Sequence, residues 1–295
     1  MKEKKFGPVL FIPGLNKGRY PFCNSIYIES HSVLIDPASD RERLIRLKEE
    51  QGVTQVWLTH FHEDHLMHLD LFDDIPFYIS EEDSVPISDI NKFMDWDWFE
   101  LKPDGREWWM NALEKTFNFR PRKPAGFLRG NGIFRENGVT VEVIHTPGHT
   151  PGSMSFHIKE AGVLFLGDYD LTRFGPYYGD RYSSITDTIA SIERLRQIPA
   201  HIVLTGHEQG VFESPGPAIW DRYVEVISKR ENKLLEFLRS PRTMRDIIDE
   251  HIVYGRPREP KSFFELGERA IMKKHLELLR EKGIIINDDG LYSRK

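Results

Sequence analysis

Residues Thr59-His60-Phe61-His62-Glu63-Asp64-His65 restrict the fold more than any other stretch of this chain. Four potential metal ligands, His60, His62, Asp64 and His65, fall within six residues, directly after the apolar run Val56-Trp57-Leu58. Imidazoles packed this closely repel one another when charged, and each ring nitrogen needs a partner when buried. A metal dication meets both demands at once. Neutral imidazole nitrogen and carboxylate oxygen are donors that suit zinc and iron. The run therefore demands a fold that brings a rigid strand end to an open, polar face.

Three further ligands follow at long range. His149 stands in Thr146-Pro147-Gly148-His149-Thr150-Pro151-Gly152-Ser153, Asp168 in Leu164-Phe165-Leu166-Gly167-Asp168, and His207 in Val203-Leu204-Thr205-Gly206-His207-Glu208. Each follows strand-like residues or sits beside a Gly or Pro that turns the backbone. Five His and two Asp are enough donors for two metals with room left for water.

A His-x-His-x-Asp-His run followed in order by a lone His, a lone Asp and a lone His resembles the metallo-β-lactamase-fold hydrolases. The resemblance implies an α/β chain folded as an αββα sandwich. It implies that His60, His62 and His149 hold one metal, that Asp64, His65 and His207 hold a second, and that Asp168 bridges them. It also implies two divalent ions, zinc first, with iron or manganese behind it. Such a pair acidifies a bridging water, so no Ser or Cys nucleophile is required. Asp64 is the expected catalytic residue, accepting or relaying a proton beside the nucleophile. One departure stands out. Many members continue the run with a small residue and glycines, whereas this chain continues Leu66-Met67-His68. His68 is not expected to ligate, nor are His31, His145, His157, His201, His251 and His275.

The chain of 295 residues carries a formal net charge of -6. Nothing in that balance points to nucleic acid or a membrane surface, and no run approaches a membrane span. The one cysteine, Cys23, excludes an internal disulfide and fits a reducing cytoplasm; it reads as a buried free thiol. Asn24 after it is either a turn residue or a donor behind the ligands.

Strand signals fall at 9–12, 25–28, 32–35, 56–58, 139–144, 155–158, 163–166 and 202–204, with helices at 41–51 and 184–197. Two groups of strands with helices outside suit a layered sandwich. From about 81 to 137 the composition changes. Phe93, Trp96, Trp98, Phe99, Trp108, Trp109, Phe117, Phe119 and Phe127 crowd together, with a helix at 105–119. Two readings stand level: a lid whose aromatics wall the substrate pocket, or a helical cover with its own small core. After Asp168, Arg173, Tyr177 and Tyr178 are candidates to orient a substrate or steady an oxyanion.

Residues 1–215 read as the catalytic domain and 216–295 as a second unit. Helices are expected at 219–238, 244–251 and 266–282, with Thr243 as an N-cap and a hairpin at 283–292 turning on Asp289-Gly290. That order resembles a winged-helix module, as in the LACTB-like branch of the family. From 221 to 295 there are 17 Lys/Arg and 14 Asp/Glu, a net of +3. This is a weak basic face, so packing on the catalytic domain or in a homodimer is the expected use and nucleic acid is not favoured. The functional expectation is a hydrolase of a small-molecule ester, thioester or lactone. The alternatives are a metal-dependent endoribonuclease and an iron-dependent redox enzyme.

Overall fold

The computed structural model describes residues 2–96, 101 and 103–295. Seven strands in chain order form the first sheet: β1 (Lys4–Phe6), β2 (Val9–Ile12), β3 (Ser25–Ile28), β4 (Val33–Ile35), β5 (Gln55–Trp57), β6 (Phe77–Ser80) and β7 (Gly126–Leu128). Pairing is antiparallel from β1 to β4 and parallel from β4 to β7. The second sheet contains β8 (Ile133–Glu136), β9 (Val139–His145), β10 (Met154–Ile158), β11 (Val163–Phe165), β12 (Ile202–Leu204) and β13 (Val211–Glu213), in the order β13-β12-β11-β10-β9-β8. Only β11 and β12 run parallel in it, joined through the helix Ile185–Leu195.

The sandwich follows from the period of two in the strands. Val9, Phe11, Ile26, Ile28, Val33, Ile35 and Trp57 point inward and meet Val141, Val143, Phe156, Ile158, Val163 and Phe165 of the facing sheet. The alternate residues Leu10, Tyr27, Leu34 and Val56 point outward, under the helix Arg41–Gln51 with its Leu44 and Leu47. On the far side Leu164 and Val203 meet Ile192 and Leu195 of the helix Ile185–Leu195, and Trp220 and Tyr223 of the helix Pro217–Phe237. Both sheets are covered on both faces, which is why their strands read as near-continuous apolar runs.

Four aromatics of the segment pack as a cover on the first sheet. Phe93, Trp109, Phe117 and Phe119 are buried in the outer core of the first sheet, while Trp108 and Phe127 lie at the surface. Trp98 and Phe99 lie outside the described residues.

After residue 216 come the helices Pro217–Phe237, Met244–Asp249 and Lys261–Glu281 and a small sheet, β14 (Arg242–Thr243), β15 (Ile285–Asp288) and β16 (Leu291–Arg294), ordered β14-β16-β15. Thr243 closes a capping box with Asp246, and the Asp289-Gly290 turn takes both residues to positive φ. The third helix starts at Lys261, earlier than the sequence pattern places it. The tail's core of Ile227, Leu234, Ile271, Leu276 and Leu279 also takes in Tyr178 and Ile185 of the preceding chain. The long helix Pro217–Phe237 thus belongs to two cores, one at each end. Among the described residues no helix is long and apolar enough to cross a membrane.

Candidate metal centre

Every candidate ligand leaves the carboxyl end of a strand. The run 60–65 follows β5, His149 follows β9, Asp168 follows β11 and His207 follows β12. Gly148 makes the turn before His149 possible. Its φ is +131°, and a Cβ there would sit 2.3 Å from the Thr188 amide nitrogen. The turn docks on the start of the helix Ile185–Leu195 through Ser184 N donating to Gly148 O at 2.9 Å.

Three imidazoles converge. His60 Nε2 lies 3.0 Å from His62 Nδ1, and His149 Nε2 lies 3.1 Å from the former and 3.0 Å from the latter. Their outward nitrogens all have acceptors. His62 Nε2 donates to Asp180 Oδ2 at 2.6 Å and His149 Nδ1 to the Tyr177 carbonyl at 3.1 Å. His60 Nδ1 donates to Thr59 Oγ1 at 2.9 Å, whose own proton goes to Asp36 Oδ2. With the protons outside, three lone pairs face one another inside. Burial, then neighbouring imidazoles, holds His60 and His149 below the usual imidazole range, so both rings stay neutral.

The other ligands repeat the pattern. His65 Nδ1 donates to buried Asp36 at 2.9 Å, which leaves Nε2 facing Asp168 Oδ1 at 2.7 Å. Neither of those two facing atoms has a hydrogen-bond partner. His207 Nδ1 faces the Gly18 and Phe22 carbonyls at 3.1 and 3.0 Å. Its Nε2 lies 3.2 Å from Asp64 Oδ2 and 3.4 Å from Asp168 Oδ2. Burial opposes charge on His65 and His207, yet the acidic groups around them, Asp168 foremost, together outweigh it and lift both well above the usual imidazole range. The positive charge drawn to that spot as a proton is what a bound metal ion would replace.

The donor set therefore fits two divalent ions. Five imidazoles offer inward lone pairs, their outer nitrogens are fixed by carboxylates, a hydroxyl and carbonyls, and Asp168 reaches both groups, with Oδ2 3.4 Å from His149 and from His207.

Above the ligands opens a cavity of about 380 Å³. It is lined by His62, Asp64, His149, Asp168 and His207, by Arg19 and Tyr20 near the N-terminus, by Phe174 and Tyr177, and by Tyr254, Phe263 and Phe264 of the tail. No described residue of 81–137 lines it. Of the three candidates after Asp168, Tyr177 lines the cavity. Tyr178 does not: it is fully buried, its hydroxyl 2.9 Å from His275 Nε2 and 3.2 Å from Arg230, so it packs the tail and touches no substrate. Arg173 is exposed and does not line the cavity.

The sequence pattern left out Asp36, Asp180 and Arg230 behind the ligands, whereas it did raise Asn24, as a turn residue or a donor there, and Cys23, as a buried free thiol. Asp36 accepts from Thr59 N, Thr59 Oγ1 and His65, and Asp180 holds His62. Asn24 accepts from Gly14 N at 2.9 Å and donates to Thr205 O at 3.1 Å, tying the N-terminal loop to the strand end that delivers His207. Cys23 is buried with Sγ 3.5 Å from His65 Nδ1, and burial pushes its thiol up to about 11, so it remains protonated. Glu63, beside the ligands, accepts from the Tyr20 hydroxyl at 2.8 Å; burial and the adjacent Asp64 raise it to about 7. Arg230, buried on the helix Pro217–Phe237, donates to the Phe174 carbonyl at 2.7 Å and the Pro176 carbonyl at 2.9 Å. It thereby clamps the loop whose Tyr177 carbonyl orients His149.

Residues 19–207 match the model of the metallo-beta-lactamase superfamily. A probable metallo-hydrolase of Bacillus subtilis is 28% identical over 188 residues, 61% of this chain and 81% of that protein. A hydroxyacylglutathione hydrolase of Haemophilus influenzae is 29% identical over 187 residues, again 61% of this chain and 81% of its own length. An acyl-coenzyme A thioesterase of Gallus gallus is 27% identical over 159 residues, 50% of this chain but only 54% of that enzyme. Among solved structures, a metallo-beta-lactamase family protein from Thermus thermophilus superposes with a TM-score of 0.70 at 23% identity, over 98% of this chain and 99% of that one. That likeness carries the fold, tail included.

Proposed function

The chain belongs to the metallo-β-lactamase superfamily and is a metallo-hydrolase, and on that premise we propose that it hydrolyses a small thioester at a dinuclear centre, with zinc as the metal. The observation that carries the reading is the set of five inward imidazole lone pairs around Asp168. Thioesters come first because two of the relatives are named for them, a hydroxyacylglutathione hydrolase and an acyl-coenzyme A thioesterase.

In this reading His60, His62 and His149 hold one ion, Asp64, His65 and His207 the other, and Asp168 both. Bound there, two divalent ions would supply Lewis acidity and bring the ionisation of water near neutral pH. The remaining work falls to the chain. Tyr177, which lines the cavity beside His149, bounds one side of the space where the scissile bond would lie. Asp64, at the cavity wall, relays a proton from the attacking water to the departing thiolate. Asp36, Asp180 and the carbonyls of Gly18, Phe22 and Tyr177 keep the imidazoles turned inward. The tail, with its order of helix, strand, two helices and hairpin, is read as a winged-helix-like module turned to architecture.

The test is metal analysis of metal-replete protein followed by a panel of thioesters, lactones and single-stranded RNA. The expected result is two metal equivalents per chain and thioester turnover above the rest. One equivalent or less, or RNA cleavage without thioester turnover, overturns the proposal.

A further inference from the structure

The cavity carries an aromatic wall that the hydrolytic chemistry does not need. Tyr20, Phe174, Tyr254, Phe263 and Phe264 line it, and none of the five takes part in the buried cores of the described residues. They come from three separate stretches of chain. Even so, they pack ring against ring: Tyr20 on Phe263 with centroids 5.8 Å apart, Phe174 on Tyr254 at 5.7 Å, Tyr254 edge-on to Phe264 at 5.0 Å, and Phe263 edge-on to Phe264 at 5.4 Å. Tyr20 and Phe174 remain 43% and 38% exposed. A joined apolar surface left open to water, in a cavity shared with the candidate ligands, is a surface shaped for a ligand.

The acidic groups of the cavity lie apart from that wall in the chain, whereas Arg19 and Thr172 stand at its rim. Glu63, Asp64, Asp168, Asp170 and Glu208 are ligands or stand within two residues of one. A substrate whose scissile bond sits at the ligands must therefore send one arm among the rings. A thiol carrier rich in amides would find few hydrogen-bond partners there. A hydrocarbon arm would lose only its contact with water.

We propose that Tyr20, Phe174, Tyr254, Phe263 and Phe264 form an acyl subsite that selects thioesters with an extended apolar acyl chain over short or hydroxylated ones. This rests on the thioester reading above and names its substrate class. No bond is made or broken at the wall. Because three of its five residues belong to the tail, the tail acts in substrate choice as well as in architecture.

The experiment uses the metal-replete full chain and straight-chain coenzyme A thioesters from acetyl to decanoyl. In the wild type kcat/KM rises with length by about fourfold per methylene until the wall is filled, the ratio that ~0.8 kcal/mol per buried methylene gives. In Phe264→Ala and in Phe263→Ala the decanoyl-to-acetyl ratio falls at least tenfold, whereas Phe264→Leu, which keeps an apolar surface, retains most of it. Calorimetric binding of the non-hydrolysable thioether analogues gives the same ranking without turnover. A flat length series in both readouts, a preference for hydroxyacyl chains, or an unchanged ratio in both alanine variants overturns the subsite. Length-dependent binding of thioethers with no hydrolysis of any thioester supports the subsite and sinks the thioester reading. Hydrolysis with a flat series does the reverse.

Discussion

His62 has one nitrogen turned to two neighbouring imidazoles and the other held by Asp180, a carboxylate 118 residues away. The ring cannot rotate out of the site without losing that bond. Asp180→Ala should therefore weaken metal affinity by about 10- to 100-fold, the usual scale for losing a carboxylate behind a ligating imidazole. Competition with a chromophoric chelator measures it, and an affinity within twofold of wild type would remove Asp180 from the site. Asp168→Ala and His60→Ala should lower kcat by several orders of magnitude. Their circular dichroism should stay near wild type, since both side chains stand beyond strand ends and contribute no apolar burial. Activity within tenfold of wild type on the true substrate would refute the assignment. The seven candidate ligands were legible because four crowd into one run and the others carry Gly or Pro beside them. Asp36 and Asp180 were not, because a lone Asp after a strand or in a loop looks the same whether it faces a ligand or water. Tyr178 misled for a related reason. Two adjacent tyrosines in one loop both pack against the tail, Tyr178 wholly inside its core and Tyr177 still lining the cavity, and nothing in the sequence tells them apart.

The loops around the site depend on contacts that one substitution can remove. Gly148→Ala places a methyl group against the backbone of Thr188 at a φ of +131°, a conformation that side chains rarely adopt. It should displace His149 and abolish binding at that half of the site, seen as loss of one metal equivalent; two equivalents retained would contradict it. Arg230→Met leaves the Phe174 and Pro176 carbonyls without their donor, each at a cost of about 1–3 kcal/mol if it stays dry. The unfolding free energy should fall on that scale in a urea titration, and an unchanged midpoint would show that water replaces the guanidinium. At this level the long elements were easy to read. The strands Val9–Ile12, Ser25–Ile28 and Ile202–Leu204 and the helix Arg41–Gln51 stand where the apolar pattern puts them. The short edge strands β1, β7, β8 and β13 escaped, since their residues are partly exposed or too few to show a period. The aromatic segment was ambiguous because tryptophan and phenylalanine serve a cover or a pocket equally well.

For the molecule as a whole, the tail shares one core with Tyr178 and Ile185 and another with the second sheet. Its surplus of three positive charges is offset by the rest of a chain with net charge -6. The full chain should show no tight, salt-sensitive binding to single-stranded RNA or duplex DNA at physiological salt, because few counterions would be released. Fluorescence anisotropy across a salt series checks this. A steep loss of affinity with added salt would contradict it and bring the nuclease reading forward.

One loop connects the metal centre to the tail. It leaves β11 at Asp168, presents the Tyr177 carbonyl to His149, is clamped by Arg230, and reaches Asp180 on His62. Metal ions that bind the folded chain and not the unfolded one add to its stability by mass action, and here they would also fasten this loop at several points. A cell short of metal would then hold more than an idle enzyme. It would hold a chain with an unbuckled strap, open to proteases, so that the protein's lifetime would track the metal supply.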